Sequence, residues 1–251
     1  MHIAFFNRSF YPDTAATGQL LTELCEGLVQ EYGCRVSVVA GVPLLPATGN
    51  GIAAAKGHIV GREQYHGIEI LRARGTRFSK QRFVKRFSNY VSYFLSACYA
   101  GLRLERPDIV VALTDPPIIG LAAYLAARRF GVPFVMSYRD IFPEVARLLE
   151  DFHSATVNGI LNSVNRFLVR RANRSIALGE TMRRRLIDGK VPIRRGLSSF
   201  QTGPIAPRSF LGPSAIPSHW LTGLPTSSWS CTPAIWACLR GLRLSPRRPR
   251  V

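Results

Sequence analysis

Residues 2–40 read HIAFFNRSFYPDTAATGQLLTELCEGLVQEYGCRVSVVA. His2 to Asn7 is a short apolar run, the mark of a buried strand. An irregular stretch from Arg8 to Gly18 follows it. Leu20, Leu21, Leu24, Leu28 and Val29 then recur at helical spacing as far as Tyr32, and Gly33 marks the stop. Arg35 to Ala40 is rich in β-branched residues and reads as a second parallel strand. Strand, loop, helix and strand in this order make a βαβ unit, whose crossover should be right-handed.

The same alternation continues outward. Val42 to Tyr65 is Gly-, Pro- and Ala-rich and is expected to be a long loop. Strands are predicted at Gly67–Ala73, Ile109–Leu113, Pro133–Ser137 and Ser175–Leu178. Helices are predicted at Phe83–Leu104, Gly120–Phe130, Asn158–Ala172 and Glu180–Ile187, with a further helical region beginning at Ile141. Ile109–Leu113 is near-continuously apolar, as in strands buried on both faces of a parallel sheet. The fold class is therefore α/β, a doubly wound, Rossmann-like parallel sheet, with no internal repeat.

Composition divides the chain. The last acidic residue is Asp188, and the segment Gly189–Val251 holds nine of the 33 Lys and Arg, nine of the 17 prolines, and all three tryptophans (Trp220, Trp229 and Trp236). Residues 1–188 are expected to form one domain, and 189–251 a low-order tail that touches it little. The formal charge of +18 splits evenly between the two parts, so half of the apparent affinity for polyanions rests on the tail. Cys25, Cys34, Cys98, Cys231 and Cys238 show neither zinc nor disulfide spacing and read as reduced thiols. The five histidines form no ligand cluster, so no metal site is expected. The apolar start is too short for a signal peptide. The most apolar stretch, Ile109–Ala127, is interrupted by Asp115-Pro116-Pro117, so a soluble, cytoplasmic or peripheral protein is expected.

Four short motifs fall where strands should end, at the carboxyl edge where open α/β sheets bind ligands. They are Tyr11-Pro12, the Thr17-Gly18 turn before the first helix, Thr114-Asp-Pro-Pro117, and Arg139-Asp-Ile-Phe-Pro-Glu144. In their order and spacing they resemble the N-terminal, acceptor-side domain of family 4 glycosyltransferases, over residues 1 to about 188. The closest resemblance is to the bacterial exopolysaccharide and colanic-acid group. It implies half of a GT-B architecture, a nucleotide-sugar co-substrate rather than a bound cofactor, retaining transfer, and a lipid-linked sugar acceptor. It also implies that Thr17 and Gly18 face the donor diphosphate, since glycine lets backbone approach phosphate and the helix end supplies N–H donors. Arg139-Asp140 stands where many relatives carry a His-Asp pair near the reacting sugar, and there Asp140 would orient or deprotonate an acceptor hydroxyl. Tyr11, Asp115 and Glu144 are candidate acceptor contacts.

Each of these residues has a plainer reading beside it. Gly18 serves equally as a turn glycine, Asp140 as a helix N-cap, and Asp115 before two prolines as a turn former. Lys80, Arg82, Lys85 and Arg86, interleaved with aromatics, suit the inner face of the cytoplasmic membrane, though charge runs are commonly solvated faces. Glu23 and Glu31 stand on the first helix and read as its solvated side. Nucleic acid is not an expected partner, but a non-catalytic basic module binding membrane or nucleic acid is the alternative to a transferase. A dinucleotide enzyme is disfavoured, because no Gly-x-Gly-x-x-Gly follows the first strand.

The tail admits a test in the genetic code. With each triplet begun one base earlier, Phe200-Gln-Thr-Gly-Pro-Ile205 permits Pro-Asn-Trp-Ala-Asp. Likewise Cys231 to Arg243 permits His-Ser-Gly-Asn-Met-Gly-Leu-Ser-Gln-Gly-Leu-Glu. Both strings resemble the same family's interdomain segment and donor-domain start, in the right order. The reading frame is therefore expected to change between Asp188 and Arg194, leaving a chain truncated before its donor domain.

Overall fold

The computed structural model describes residues 1–43, 59–76, 83–139, 155–177, 182–184, 197–199 and 232–243. Its strands are β1 (His2–Phe6), β2 (Arg35–Gly41), β3 (Val60–Tyr65), β4 (Ile68–Ala73), β5 (Ile109–Ala112), β6 (Phe134–Tyr138), β7 (Arg174–Ala177) and β8 (Leu197–Ser199). Its helices are α1 (Ala16–Gln30), α2 (Phe83–Arg103), α3 (Ile119–Phe130), α4 (Ala155–Arg171) and α5 (Thr232–Arg243). The strands form one sheet in the order β3-β4-β2-β1-β5-β6-β7-β8, parallel throughout except for the β3–β4 pair.

Because side chains alternate across a strand, β1 feeds both faces at once. Ala4 and Phe6 join Leu71, Tyr93, Ala123 and Leu168 under α2, α3 and α4. Ile3 and Phe5 join Leu21, Leu24, Leu28 and Val38 under α1. Every residue of β1, β5 and β6 is buried, which is why these strands are apolar but for His2 and Ser137 instead of alternating. Gly131 ends α3 in the left-handed conformation, with φ 66° and its N–H reaching the carbonyls of Ala127 and Arg128.

Two expectations are corrected. The supposed loop Val42–Tyr65 ends in strand β3, which pairs antiparallel with β4 through the His66-Gly67 turn. Its half-exposed VGREQY lacks the apolar signature of a central strand because it lies at the sheet edge. The segment after Asp188 was expected to touch the domain little. Instead β8 pairs with β7, and α5 buries Ile235, Cys238 and Leu239 in the cluster beneath α1, with Trp236 against Tyr32 at 5.2 Å between ring centroids. The apolar residues at 235, 238 and 239 share one helical face, enough for docking without any acidic residue. Trp220, Trp229 and the helical region expected from Ile141 lie outside the described residues, as does most of Glu180–Ile187.

A polar chain crosses the amino-terminal edge of the sheet. The His2 N–H donates to Asp108 Oδ2 at 2.8 Å, and Ser37 Oγ donates to Glu69 Oε2 at 2.8 Å. With the serine proton committed to Glu69, the His2 Nε2–H donates to Ser37 Oγ, 2.8 Å away. The Nδ1 atom then faces the Arg106 carbonyl at 3.3 Å. Burial lowers the His2 pKa, outweighing the Arg106 carbonyl; Arg35 also lowers it, and Glu69 and Asp108 raise it. The unfolded chain thus takes up the proton first, at about pH 6.5. Stability from this site should be complete above that pH and lost as pH falls through the lower folded value. Urea midpoints for the native chain and His2→Gln at pH 8 and pH 5 should show a smaller acid loss in the variant; equal losses would assign the effect to other groups.

Candidate functional site at the sheet's switch point

Chain direction across the sheet reverses between β1 and β5. From β1 the chain moves outward through β2 to β4, and from β5 through β6 to β8. The loops leaving the carboxyl ends of β1 and β5 thus stand at the switch point, the position at which such sheets bind ligands. These two loops are tied to each other. The Arg8 N–H donates to the Asp115 carbonyl at 2.8 Å, and Ser9 Oγ donates to Asp115 Oδ2 at 2.7 Å. Asp115 thereby positions the β1 loop, while Ile119 N–H to Pro116 O at 2.9 Å closes the turn that the sequence suggested. On the next strand the Arg139 N–H donates to Thr114 Oγ1 at 3.2 Å, and the Arg139 side chain is buried.

The β1 loop folds back on the start of α1. The Tyr11 N–H donates to Thr22 Oγ1 at 3.2 Å, and Thr22 Oγ1 donates to the Gly18 carbonyl at 2.9 Å. A Cβ at Gly18 would lie 3.3 Å from Ser9 Cβ and 3.4 Å from Phe10 N, so glycine here permits close passage of the loop over the helix. The Gly18 N–H is taken by the Ala15 carbonyl at 2.8 Å. No side chain caps this helix end.

Sequence reasoning missed the buried charge beneath the loop. Arg72, in β4, is 3% exposed and pairs through Nε with Glu63 Oε2 at 2.8 Å. Its other nitrogens donate to the carbonyls of Gly41 and Tyr11. The signal was an arginine inside IEILRA, an otherwise core-like strand. Tyr93 of α2 stands beside Gly41 and is fully enclosed. Burial first, then Asp115, pushes its phenol far above the usual range, while Arg8 and Arg72 oppose. Asn7 Oδ1 and the Tyr93 hydroxyl are both buried here without a hydrogen-bond partner among the described residues.

The structure thus brings Tyr11, Thr17, Gly18, Asp115 and Arg139 to one edge of the sheet. Asp140, Glu144, Lys80 and Arg82 lie outside the described residues, and Lys85 and Arg86 fall in the first turn of α2. Among the described residues no group of three His, Cys, Asp or Glu stands close enough to hold a metal ion, and no helix is long and apolar enough to cross a membrane.

The fold defines a Rossmann-like domain whose β1 and β5 loops meet at the switch point of the sheet. Residues 16–196 match the glycosyl transferase 4-like domain, and the chain belongs to that family. Among solved structures, sucrose-phosphate synthase from Thermosynechococcus elongatus is similar with a TM-score of 0.53 at 13% identity, over 81% of this chain and 48% of that one. The catalytic domain of starch synthase IV from Arabidopsis thaliana, bound to ADP and acarbose, is similar with a TM-score of 0.50 at 10% identity, over 81% and 52%. These likenesses identify the fold as the N-terminal half of a GT-B architecture, and the chain spans about half the length of either structure. A comparison with curated proteins finds no match.

Proposed function

We propose that this chain derives from a retaining glycosyltransferase of surface polysaccharide synthesis, moving a sugar from a nucleotide donor to a lipid-linked acceptor. The observation that carries this reading is the sheet's switch point, with its β1 and β5 loops fastened through Asp115, in a chain of the glycosyl transferase 4-like family. In this reading residues 1–188 are the acceptor-side domain, with Tyr11, Asp115 and Glu144 toward the acceptor. The amides of Ala16 and Thr17 at the open end of α1 are offered to the donor diphosphate, since that of Gly18 is engaged. Asp140 orients or deprotonates the acceptor hydroxyl, with Arg139 beside it.

The leaving diphosphate needs cationic and backbone groups to stabilise it. In this architecture the resemblance puts them mostly on a second domain, so the 251-residue chain is proposed to be inactive alone. The agreement of the shifted codons after Asp188 supports a frame change as the cause. Reading the gene across codons 185–200 tests this directly. Third bases that spoil Pro-Asn-Trp-Ala-Asp at Phe200–Ile205, or an early stop in the shifted frame, would remove that explanation.

A lipid-linked acceptor brings the enzyme to a bilayer, and Lys80, Arg82, Lys85 and Arg86 are proposed to make that contact. Each basic residue near an anionic surface is worth about 1 kcal/mol at moderate ionic strength. Vesicles rich in phosphatidylglycerol should therefore co-sediment the chain in low salt and release it in high salt. Replacing all four residues by alanine should weaken binding by roughly a hundredfold or more. Unchanged co-sedimentation would assign the contact to the other basic residues, among them those after Asp188.

A further inference from the structure

The two helical layers of the sheet differ in charge. α2, α3 and α4 cover the face toward which Ala4 and Phe6 point, and α3 touches both of its neighbours. These three helices carry eight Lys and Arg between them and no Asp or Glu. α1, on the opposite face, carries Glu23 and Glu26 and no Lys or Arg. Exposed apolar side chains follow the basic layer. Six of the eight large ones among the described residues lie on it: Leu95, Tyr99 and Leu102 on α2, Leu125 on α3, and Ile160 and Phe167 on α4. Positions 95, 99 and 102 share one side of α2, opposite the buried Tyr93, Ala97 and Ala100.

A helix joining two parallel strands returns from the carboxyl edge of the sheet to the amino edge, so the last turns of α2, α3 and α4 lie along the amino edge. Each of these helices carries the same pair near its end, an aromatic residue followed four positions later by arginine. Arg103 donates to the Tyr99 hydroxyl, with its guanidinium carbon 4.9 Å from the ring centroid. Arg128 Nη1 donates to the Tyr124 hydroxyl at 3.4 Å, and the guanidinium carbon of Arg171 lies 5.6 Å from the Phe167 centroid. None of these three arginines pairs with a carboxylate among the described residues. Cations at helix C-termini complement the helix dipole and on that account need no partner. Leucines left exposed beside them, on a layer without a single acid, have no such explanation.

We infer that the outer face of α2, α3 and α4 is a docking surface for a bilayer of anionic lipid. Leu95, Leu102, Leu125 and Ile160 enter the boundary between headgroups and acyl chains, and the aromatic–arginine pairs lie level with the phosphates. Arginine suits that place, because its stem runs along apolar surface while the guanidinium stays at the polar level. Nucleic acid would match the charge but gives the four aliphatic side chains nothing apolar to bury against. A second copy of the same face would set like charges together. A protein partner is held in register by distinct, interspersed charges, whereas one pair repeated on three helices defines no register. It fits a fluid array of identical headgroups. The surface stands without the transferase reading, and it adds to it. α2 begins at the carboxyl edge, with Lys85 and Arg86 in its first turn, so seating this layer holds the switch-point edge beside the membrane.

Co-sedimentation of the 251-residue chain over a range of salt concentrations tests this. The vesicles are phosphatidylglycerol mixed with phosphatidylcholine, and phosphatidylcholine alone, with binding to an oligouridylate measured beside them. Binding should be confined to the anionic vesicles. Replacing Arg103, Arg128 and Arg171 together by glutamine should weaken it roughly a hundredfold and flatten its salt dependence. Leu102→Ser with Leu125→Ser should weaken it about tenfold and leave the salt dependence as it was. Both sets keep Lys80, Arg82, Lys85 and Arg86, and all five positions are exposed, so thermal unfolding should show native stability. Native-like binding by either set, equal binding to phosphatidylcholine alone, or arginine-dependent binding to the oligouridylate without binding to vesicles would overturn the surface. The assay reads binding and not transfer. A frame-restored enzyme that moves no sugar would therefore sink the transferase reading and leave this surface standing.

Discussion

With its reading frame restored near codon 190, the gene is expected to yield a protein that transfers sugar, whereas the 251-residue chain transfers none. The restored frame should remain open for another domain's length, on the order of 150–200 residues. Binding energy from the remote nucleotide positions the reacting carbon, and good positioning alone supplies about 7–11 kcal/mol of barrier reduction. On the proposed truncation, loss of the partner that grips the nucleotide should therefore cost turnover, by roughly a thousandfold or more, and not merely raise KM. The measurement is transfer of labelled sugar from nucleotide donors to a lipid-linked acceptor by the two purified proteins. In the restored enzyme Asp140→Asn should slow transfer while leaving donor binding largely intact. Robust transfer by the short chain would overturn the proposal that it is inactive.

Arg72→Ala is expected to be the most destabilising single change near the switch point. It leaves the carboxylate of Glu63, itself 11% exposed, without its cation, and it strips donors from the Gly41 and Tyr11 carbonyls. Breaking a buried pair from one side costs about 3–5 kcal/mol. The double change Arg72→Met with Glu63→Gln should recover much of that loss, because no buried charge remains unmatched. Thermal and urea unfolding of the three proteins provides the check. A loss below about 1 kcal/mol in the single variant would mean that water or another group replaces the arginine. The double variant should also loosen the Tyr11 loop, visible as faster amide exchange there, since neither replacement reaches the Tyr11 carbonyl as the guanidinium does.

Central strands were legible in the sequence because burial on both faces forces apolar runs, unbroken in Ile109–Ala112 and interrupted only by Ser137 in Phe134–Tyr138. The carboxyl-edge placement of Tyr11, Thr17, Gly18, Asp115 and Arg139 followed from counting strands. Edge strand β3 escaped because its pairing with β4 is through backbone, which leaves no hydrophobic period in VGREQY. The stacking of Tyr11 on Tyr65 escaped for a related reason. Tyr11 and Tyr65 meet across 54 positions of sequence, and nothing local in either predicts the other. The docking of α5 was hidden by its composition. Scattered arginines and prolines suggested coil, yet one turn-and-a-bit of apolar spacing at Ile235, Cys238 and Leu239 is enough to find a greasy surface.

The central position of β1 has a consequence for synthesis. One edge of β1 is satisfied once β2 has been made, at Arg35–Gly41, but the other waits for β5 at Ile109–Ala112. At ribosomal speeds of about 5–20 residues per second, that edge stays open for several seconds, the interval in which a nascent chain most needs a chaperone. The next strands, β6 and β7, are complete by Ala177. The frame change proposed after Asp188 would therefore arrive behind seven strands already available to pair. A chain altered only after that point is expected to be a folded, protease-resistant product instead of an aggregate.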